Sequence, residues 1–243
     1  MAKTAIITGA TSGIGRALAT ELSARGYKLG LTGRRTEMLE SLSKELATES
    51  IIKTMDVTNL EESNETLFSL WDELGSADIL VLNAGVASYK REFLWEDENR
   101  IIQTNVTGFC NLLNAYWNRC AETNTPGHIV GISSVASHIP NGGSSAYNAS
   151  KAFISNYMCG LQIKARKQNA PLTITDIKPG FVETPMTERN KNMFWVSTSE
   201  KAASQIADAI EKKKPNVYIT KRWRTIGIIA QIIPNIIYRK FGI

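Results

Sequence analysis

Thr8-Gly9-Ala10-Thr11-Ser12-Gly13-Ile14-Gly15 closes a short β-branched and apolar run at 4–8 and opens directly onto helical spacing at 14–25. A glycine-rich turn between strand and helix lets backbone approach a phosphate, and the positive end of the helix favours negative charge there. The glycines follow GxxxGxG rather than GxGxxG. Any strand-to-helix turn can use glycine, so the spacing alone is a weak signal. Its place after the first strand is what points to a dinucleotide fold.

Outward from this turn, two kinds of segment alternate. Short β-branched runs at 4–8, 28–32, 51–55, 79–82, 128–132, 173–177 and 217–219 predict seven strands. Longer stretches at 14–25, 36–47, 60–74, 99–121, 146–167 and 199–213 carry apolar residues at helical spacing. Asn59 and Ser197 or Ser199 are the expected caps of two of these helices. The alternation predicts an α/β, Rossmann-type, doubly wound, seven-stranded parallel sheet with helices on both faces. No repeat or low-complexity linker divides it. The expected organisation is therefore one catalytic domain at 1–220, followed by a basic, hydrophobic tail at 221–243.

The second strand run ends in Gly33-Arg34-Arg35, where an NAD-specific fold places a carboxylate for the ribose 2′-hydroxyl. Arg34, with Arg35 beside it, suits a 2′-phosphate instead, so NADP(H) is expected over NAD(H). Two solvated arginines opening a helix would be a poorer explanation, since cations oppose the dipole at that end.

Tyr147 and Lys151 stand four residues apart, on one face of a predicted helix. A phenol with a pKa near 10 is a poor proton donor or acceptor at neutral pH, and a nearby ammonium favours its phenolate. Ser133 and Ser134 end one strand and Asn83-Ala84-Gly85 ends another, at the same edge of the sheet. A hydroxyl there can donate to a substrate carbonyl.

With TGATSGIG at 8–15, Asp56-Val57, NAG at 83–85, Asn105, YNASK at 147–151 and Pro179-Gly180 in this order, the chain resembles the short-chain dehydrogenase/reductase family over about 4–220. The resemblance implies a catalytic set of Asn105, Ser134, Tyr147 and Lys151. Ser134 would polarise a carbonyl, Tyr147 would move the proton, Lys151 would also hold the nicotinamide ribose, and Asn105 would hold a water behind Lys151. Ser134 is preferred to Ser133 because it precedes Tyr147 by 13 residues. For the cofactor, the resemblance implies Gly9, Thr11, Ser12, Gly13, Ile14 and Gly15 at the phosphates. It implies Asp56 and Val57 at the adenine, Asn83, Ala84 and Gly85 at the sheet edge, and Pro179, Gly180 and Thr184 near the nicotinamide. It further implies a homodimer or homotetramer built through the helices at 99–121 and 146–167.

The resemblance places substrate recognition at about 184–199, with Met186, Met193, Phe194 and Trp195 as an apolar lid, or as residues packed on the core. Tyr89, His138 and Ile139 are wall candidates by position. The expected activity is an NADP(H)-dependent oxidoreductase that reduces a carbonyl to an alcohol, or the reverse, on a lipophilic small molecule. Rivals are a non-enzymatic NADP(H)-binding regulator of the same fold and a membrane-surface association protein. The intact Asn105, Ser134, Tyr147 and Lys151 set speaks against the first.

Composition excludes other classes. Cys110, Cys120 and Cys159 form no CxxC pair, which argues against disulfides and structural zinc and suggests small buried hydrophobes in a reducing compartment. Two histidines, His128 and His138, make a metal site unexpected. No signal-peptide pattern opens the chain and no run reaches the roughly 18–20 apolar residues of a spanning helix, so a cytoplasmic protein is expected. Net charge is +5, and residues 215–243 carry five basic and no acidic residues, so the excess belongs to the tail. A nucleic-acid partner would call for a basic stripe on the folded body. Here the cations flank isoleucines in KRWRTIGIIAQIIPNIIYRKFGI, which fits peripheral contact with a membrane, packing on a subunit or the substrate pocket, or a simple surface helix. Pro234 would kink or split a helix there.

Overall fold

Every residue of strands β1 (Thr4–Thr8), β4 (Ile79–Leu82) and β5 (Gly127–Ile132) is buried, as strands covered on both faces must be. In the computed structural model, which describes residues 3–88, 92–188 and 193–241, they are joined by β2 (Lys28–Gly33), β3 (Ser50–Thr54), β6 (Leu172–Pro179) and β7 (Asn216–Ile219). All seven run parallel in the order β3-β2-β1-β4-β5-β6-β7, the doubly wound sheet that the alternation predicts.

The period of two along each strand divides the core. Ile7, Val81 and Val130 face helices α1 (Gly13–Ala24), α2 (Thr36–Glu45) and α7 (Ser199–Glu211). Their neighbours Ile6, Leu80 and Ile129 face α3 (Leu60–Leu74), α5 (Phe109–Thr123) and α6 (Ser145–Gln168). The order reverses between β1 and β4, so the carboxyl ends of these strands open the crevice in which such sheets bind ligands.

Several boundaries differ from expectation. The helix expected at 99–121 begins four residues earlier, as α4 (Trp95–Ile102), and continues through a π-helical segment, Gln103–Gly108, into α5. Its first turn holds Glu96, Asp97 and Glu98, but Leu94 is the N-cap, so the usual start signal is missing. Asn59 stands at the N-cap of α3 without a side-chain cap, its amide donating instead to Glu62. The cap of α7 is Thr198, whose hydroxyl accepts from Lys201 N at 3.2 Å, and not either flanking serine. Of the cysteines only Cys120 is buried; Cys110 is half-buried and Cys159 exposed, because they fall on outer sides of α5 and α6.

The tail forms two helices, α8 (Trp223–Ile232) and α9 (Asn235–Phe241), split at Pro234. A 3₁₀ turn, Val135–His138, follows β5 and contacts both α6 and α8.

Candidate active site

The crevice is laced shut at its floor by Asn83. The end of β4 meets the end of β1 there: Asn83 Nδ2 donates to Thr8 O and Gly9 O, both at 3.0 Å, while Thr8 Oγ1 accepts from Asn83 N and Ala84 N. This leaves no room above Gly15, where a Cβ would stand 2.3 Å from Gly9 O. Gly9 itself has φ +69°, and a Cβ on it would lie 2.8 Å from Ala84 Cα. These glycines therefore make a cradle that side chains would fill.

Ser12, at the N-cap of α1, makes no side-chain cap, and the first turn of α1 holds no acidic residue. The Ser12 hydroxyl accepts from Arg35 Nη2 at 3.0 Å, and Thr11 Oγ1 accepts from the same nitrogen at 2.7 Å. Arg35 thus ties the end of β2 to the turn. Arg34 is 61% exposed in its side chain, and its Nη1 lies 3.9 Å from Asp56 Oδ2. The other Asp56 oxygen accepts from Thr58 N and Oγ1. Two guanidiniums and one carboxylate therefore frame this end of the crevice, donors for an anionic group with an acceptor beside them.

At the other end stand the proton-transfer candidates. Lys151 is buried; its Nζ donates to Ile132 O at 2.9 Å and lies 5.7 Å from the centre of the Tyr147 ring. Burial pushes the Lys151 ammonium down to about 8, partly offset by the negative charge of Asp176. Gly85 lies beside it: a Cβ there would stand 3.6 Å from Nζ, at ordinary contact distance.

Asn105, fully buried on the π-helical segment, accepts from Val86 N at 2.8 Å and donates to Val86 O and Ser150 Oγ at 2.9 and 3.0 Å. Both amide protons are spent, so what remains to its side chain is accepting capacity on Oδ1. π-helical turns recur at functional sites, and this one carries Asn105 to the wall behind Lys151 and Gly85.

The two serines are distinguishable. The one proton of Ser133 Oγ faces inward, shared between Asp176 Oδ1 at 2.5 Å and Ile177 O at 3.0 Å, which commits it to the buried end of β6. Ser134 Oγ accepts from Ala136 N and reaches only Pro179 O, at 3.4 Å, which leaves its proton weakly engaged. Asn148 fixes the relation of Ser134 to Tyr147. Its amide donates to Ala136 O and Ile139 O, and its oxygen accepts from Ser144, pinning the 3₁₀ turn to α6.

One cleft of about 420 Å³ joins these groups, from Arg34 and Arg35 past Gly13 and Asn83 to Ser134, Tyr147 and Lys151. All the predicted catalytic and cofactor residues line it except Gly15 and Asn105, which stand behind its wall. Pro185 and Thr187, inside the expected substrate segment, also line it, and sequence reasoning missed Thr32, Met55, Val86 and Thr104. Their only signal is adjacency to motif residues. Thr187 Oγ1 donates to Val182 O at 2.7 Å and accepts from Thr184 N, folding this segment over Gly13.

The expected substrate walls need correcting. Of the four apolar lid candidates only Met186 lines the cleft; Phe194 and Trp195 pack on Phe181 and Trp223, with ring centres 5.0–5.8 Å apart. His138 and Ile139 border a separate cavity beside α9, and His138 Nε2 pairs with Tyr218 OH at 3.0 Å. Tyr89 and residues 189–192 lie outside the described residues.

Comparison with known proteins agrees with this architecture. The short chain dehydrogenase family pattern matches residues 3–195. An uncharacterized oxidoreductase of Myxococcus xanthus is 33% identical over 239 residues, covering 96% of this chain and 93% of that protein. An NADP-dependent 3-hydroxy acid dehydrogenase of Shigella flexneri is 35% identical over 73% of this chain and 71% of its own length. The crystal structure of a short chain dehydrogenase/reductase from Burkholderia phymatum in complex with NAD superposes with a TM-score of 0.85 at 22% identity, covering 93% of this chain and 92% of that one.

A parallel sheet with a glycine cradle at its switch point and a Tyr-Lys pair at its edge defines a nicotinamide-dependent oxidoreductase fold. The chain belongs to the short-chain dehydrogenase family.

Proposed function

We propose that this protein is an NADP(H)-dependent carbonyl reductase, or the reverse alcohol dehydrogenase, with Tyr147 as its acid-base residue. The observation that carries the reading is one cleft holding Arg34 and Arg35 at one end and, at the other, a buried Lys151 ammonium 5.7 Å from the Tyr147 ring. The glycine cradle fits a pyrophosphate, and the two arginines fit a 2′-phosphate. The NADP-dependent relative from Shigella flexneri favours the same cofactor, whereas the NAD complex of the Burkholderia protein shares only the fold.

When bound, the nicotinamide supplies or takes the hydride. In the reducing direction the Tyr147 hydroxyl gives its proton to the carbonyl oxygen. The phenolate left behind is stabilised by the Lys151 ammonium. Ser134 donates a hydrogen bond to the same oxygen as charge builds on it. In the oxidising direction the Tyr147 phenolate takes the alcohol proton. Lys151 would also hold the ribose of the bound cofactor, and Asn105 would hold a water behind it.

The reading takes residues 1–220 as the catalytic body, with the substrate segment at about 184–199 and an added tail at 221–243. It takes the protein as a cytoplasmic homodimer or homotetramer packed through α5 and α6. Met186 at the mouth favours a lipophilic substrate, though the Shigella relative is named for a polar 3-hydroxy acid. Following NADPH absorbance over a panel of aldehydes and ketones, apolar and acidic, tests the reading. Turnover of at least one class supports it. NADPH binding with no turnover across the panel would contradict it.

A further inference from the structure

The tail is amphipathic in a way its sequence alone leaves open. On α8 the buried residues Trp223, Gly227 and Ala230 fall at i, i+4 and i+7, forming one face. That face is docked. Gly227 packs so closely on the Tyr218 ring that a Cβ would stand 2.5 Å from it, and the Trp223 indole fills the space above Gly180. From α9 the buried Tyr238 donates to Ala230 O at 3.0 Å, folding the second helix back on the first. Gln231 adds hydrogen bonds to His138 and Tyr218.

With that face committed, the isoleucines point elsewhere. Ile228, Ile229 and Ile232 of α8 and Ile236 and Ile237 of α9 are exposed, Ile232 at 76% and Ile236 at 71%. Lys221, Arg222 and Arg224 before them in the chain and Arg239 and Lys240 after them are exposed too, and no acidic residue occurs between 215 and 243. Phe194 and Trp195 adjoin the start of α8, with the Arg222 guanidinium 5.3 Å from the Trp195 ring.

We infer that the exposed isoleucines of α8 and α9, flanked along the chain by five exposed cations, dock on an anionic lipid surface with α8 and α9 lying in the interface. Apolar side chains on one face and basic residues beside them suit the boundary between acyl chains and acidic headgroups. Among the described residues no helix is long and apolar enough to cross a membrane, so the tail lies on the surface rather than spanning it. A second copy fits less well. A two-fold contact presents the same patch to itself, bringing the cations of one copy towards those of the other with no carboxylate in residues 215–243 to offset them. A protein partner fits less well too: Trp223 and Tyr238 are turned inward, the exposed apolar side chains described on α8 and α9 are all isoleucine, and the exposed Phe194 and Trp195 beside them suit the headgroup boundary equally. The inference depends on no assignment of the reaction, so it stands or falls separately from turnover.

The test is cosedimentation of the full chain with vesicles of equal parts phosphatidylglycerol and phosphatidylcholine, beside vesicles of phosphatidylcholine alone. Binding to the anionic vesicles at low salt is expected, falling at least about tenfold at high salt or without the anionic lipid. Ile232→Glu with Ile236→Glu alters only exposed positions and should weaken binding by at least about tenfold with an unchanged melting temperature. Arg239→Gln with Lys240→Gln, made separately, should weaken it severalfold. No binding of the intact chain at low salt would overturn the inference, as would isoleucine and cation variants that both bind like the wild type. A fall in oligomer mass on light scattering for the glutamate variant, with vesicle binding absent throughout, would instead assign the face to a contact between copies.

Discussion

Lys151 Nζ donates to Ile132 O at 2.9 Å, so the side chain that stands beside Tyr147 is anchored to the last residue of β5. The same strand end leads into Ser133 and Ser134, so one backbone segment places both the ammonium and the hydroxyl relative to the phenol.

Burial places the Lys151 ammonium near 8, below its ordinary value, so it is protonated at lower pH and lost as pH rises through about 8. If the ammonium stabilises the Tyr147 phenolate, kcat/KM for reduction should fall above about pH 8. Lys151→Met should lower it by about a hundredfold or more and weaken NADPH. A pH–rate profile that stays level from neutrality to pH 9 would reject that role. The sign for stability is opposite. Between about 8 and the ordinary lysine value the unfolded chain holds more protons, so the cost of burying this group is relieved as pH rises.

Arg34 and Arg35 should separate by substitution. Arg34 is exposed at the ribose end, so Arg34→Asp should reduce kcat/KM for NADPH by about tenfold or more and shift preference towards NADH. Arg35 holds Thr11 and Ser12, so Arg35→Ala should impair both cofactors by loosening the loop. Wild-type protein that already prefers NADH would contradict the assignment of Arg34.

Gly180 couples the site to the tail. A Cβ there would meet three atoms of the Trp223 indole at 2.0–2.3 Å, and a rigid ring cannot yield that far. Gly180→Ala should cost about 1–3 kcal/mol of stability and displace α8, seen as a lower melting temperature. An unchanged melting temperature would show that Trp223 moves freely.

His128 should report on acid stability. It is buried on β5 with Nε2 2.7 Å from Thr175 Oγ1, and burial lowers it to about 4, with Lys213 and Lys3 adding to the effect. The folded chain keeps it neutral while the unfolded chain protonates it below about 6.5, so stability is lost as pH falls from 6.5 towards 4. At pH 5 the loss from this residue is on the order of 2 kcal/mol. Denaturant titrations at pH 7 and 5 should show a smaller difference for His128→Asn than for the wild type. Equal differences would refute the assignment.

The glycine turn, the period-two strands and the Tyr147–Lys151 spacing are legible in the sequence because they follow from local geometry, and they predict the sheet and the floor of the cleft. What is not legible there depends on partners distant along the chain. The difference between Ser133 and Ser134 rests on Asp176, which the pairing of β5 with β6 brings opposite Gly131. The π-helical turn at Asn105 leaves no trace in apolar periodicity, and the early start at Trp95 is hidden because Leu94 is no capping residue. In the tail, small residues at Gly227 and Ala230 in line with Trp223 carry the direction of packing, a pattern the abundance of isoleucine obscures.

The central claim is that Tyr147 moves the proton, and Tyr147→Phe tests it most directly because it removes the hydroxyl while keeping the ring. With a carbonyl that the wild type reduces, the variant should bind NADPH within about threefold of the wild type and lose at least about a hundredfold in kcat. A variant that keeps near-normal kcat on that substrate would contradict the account.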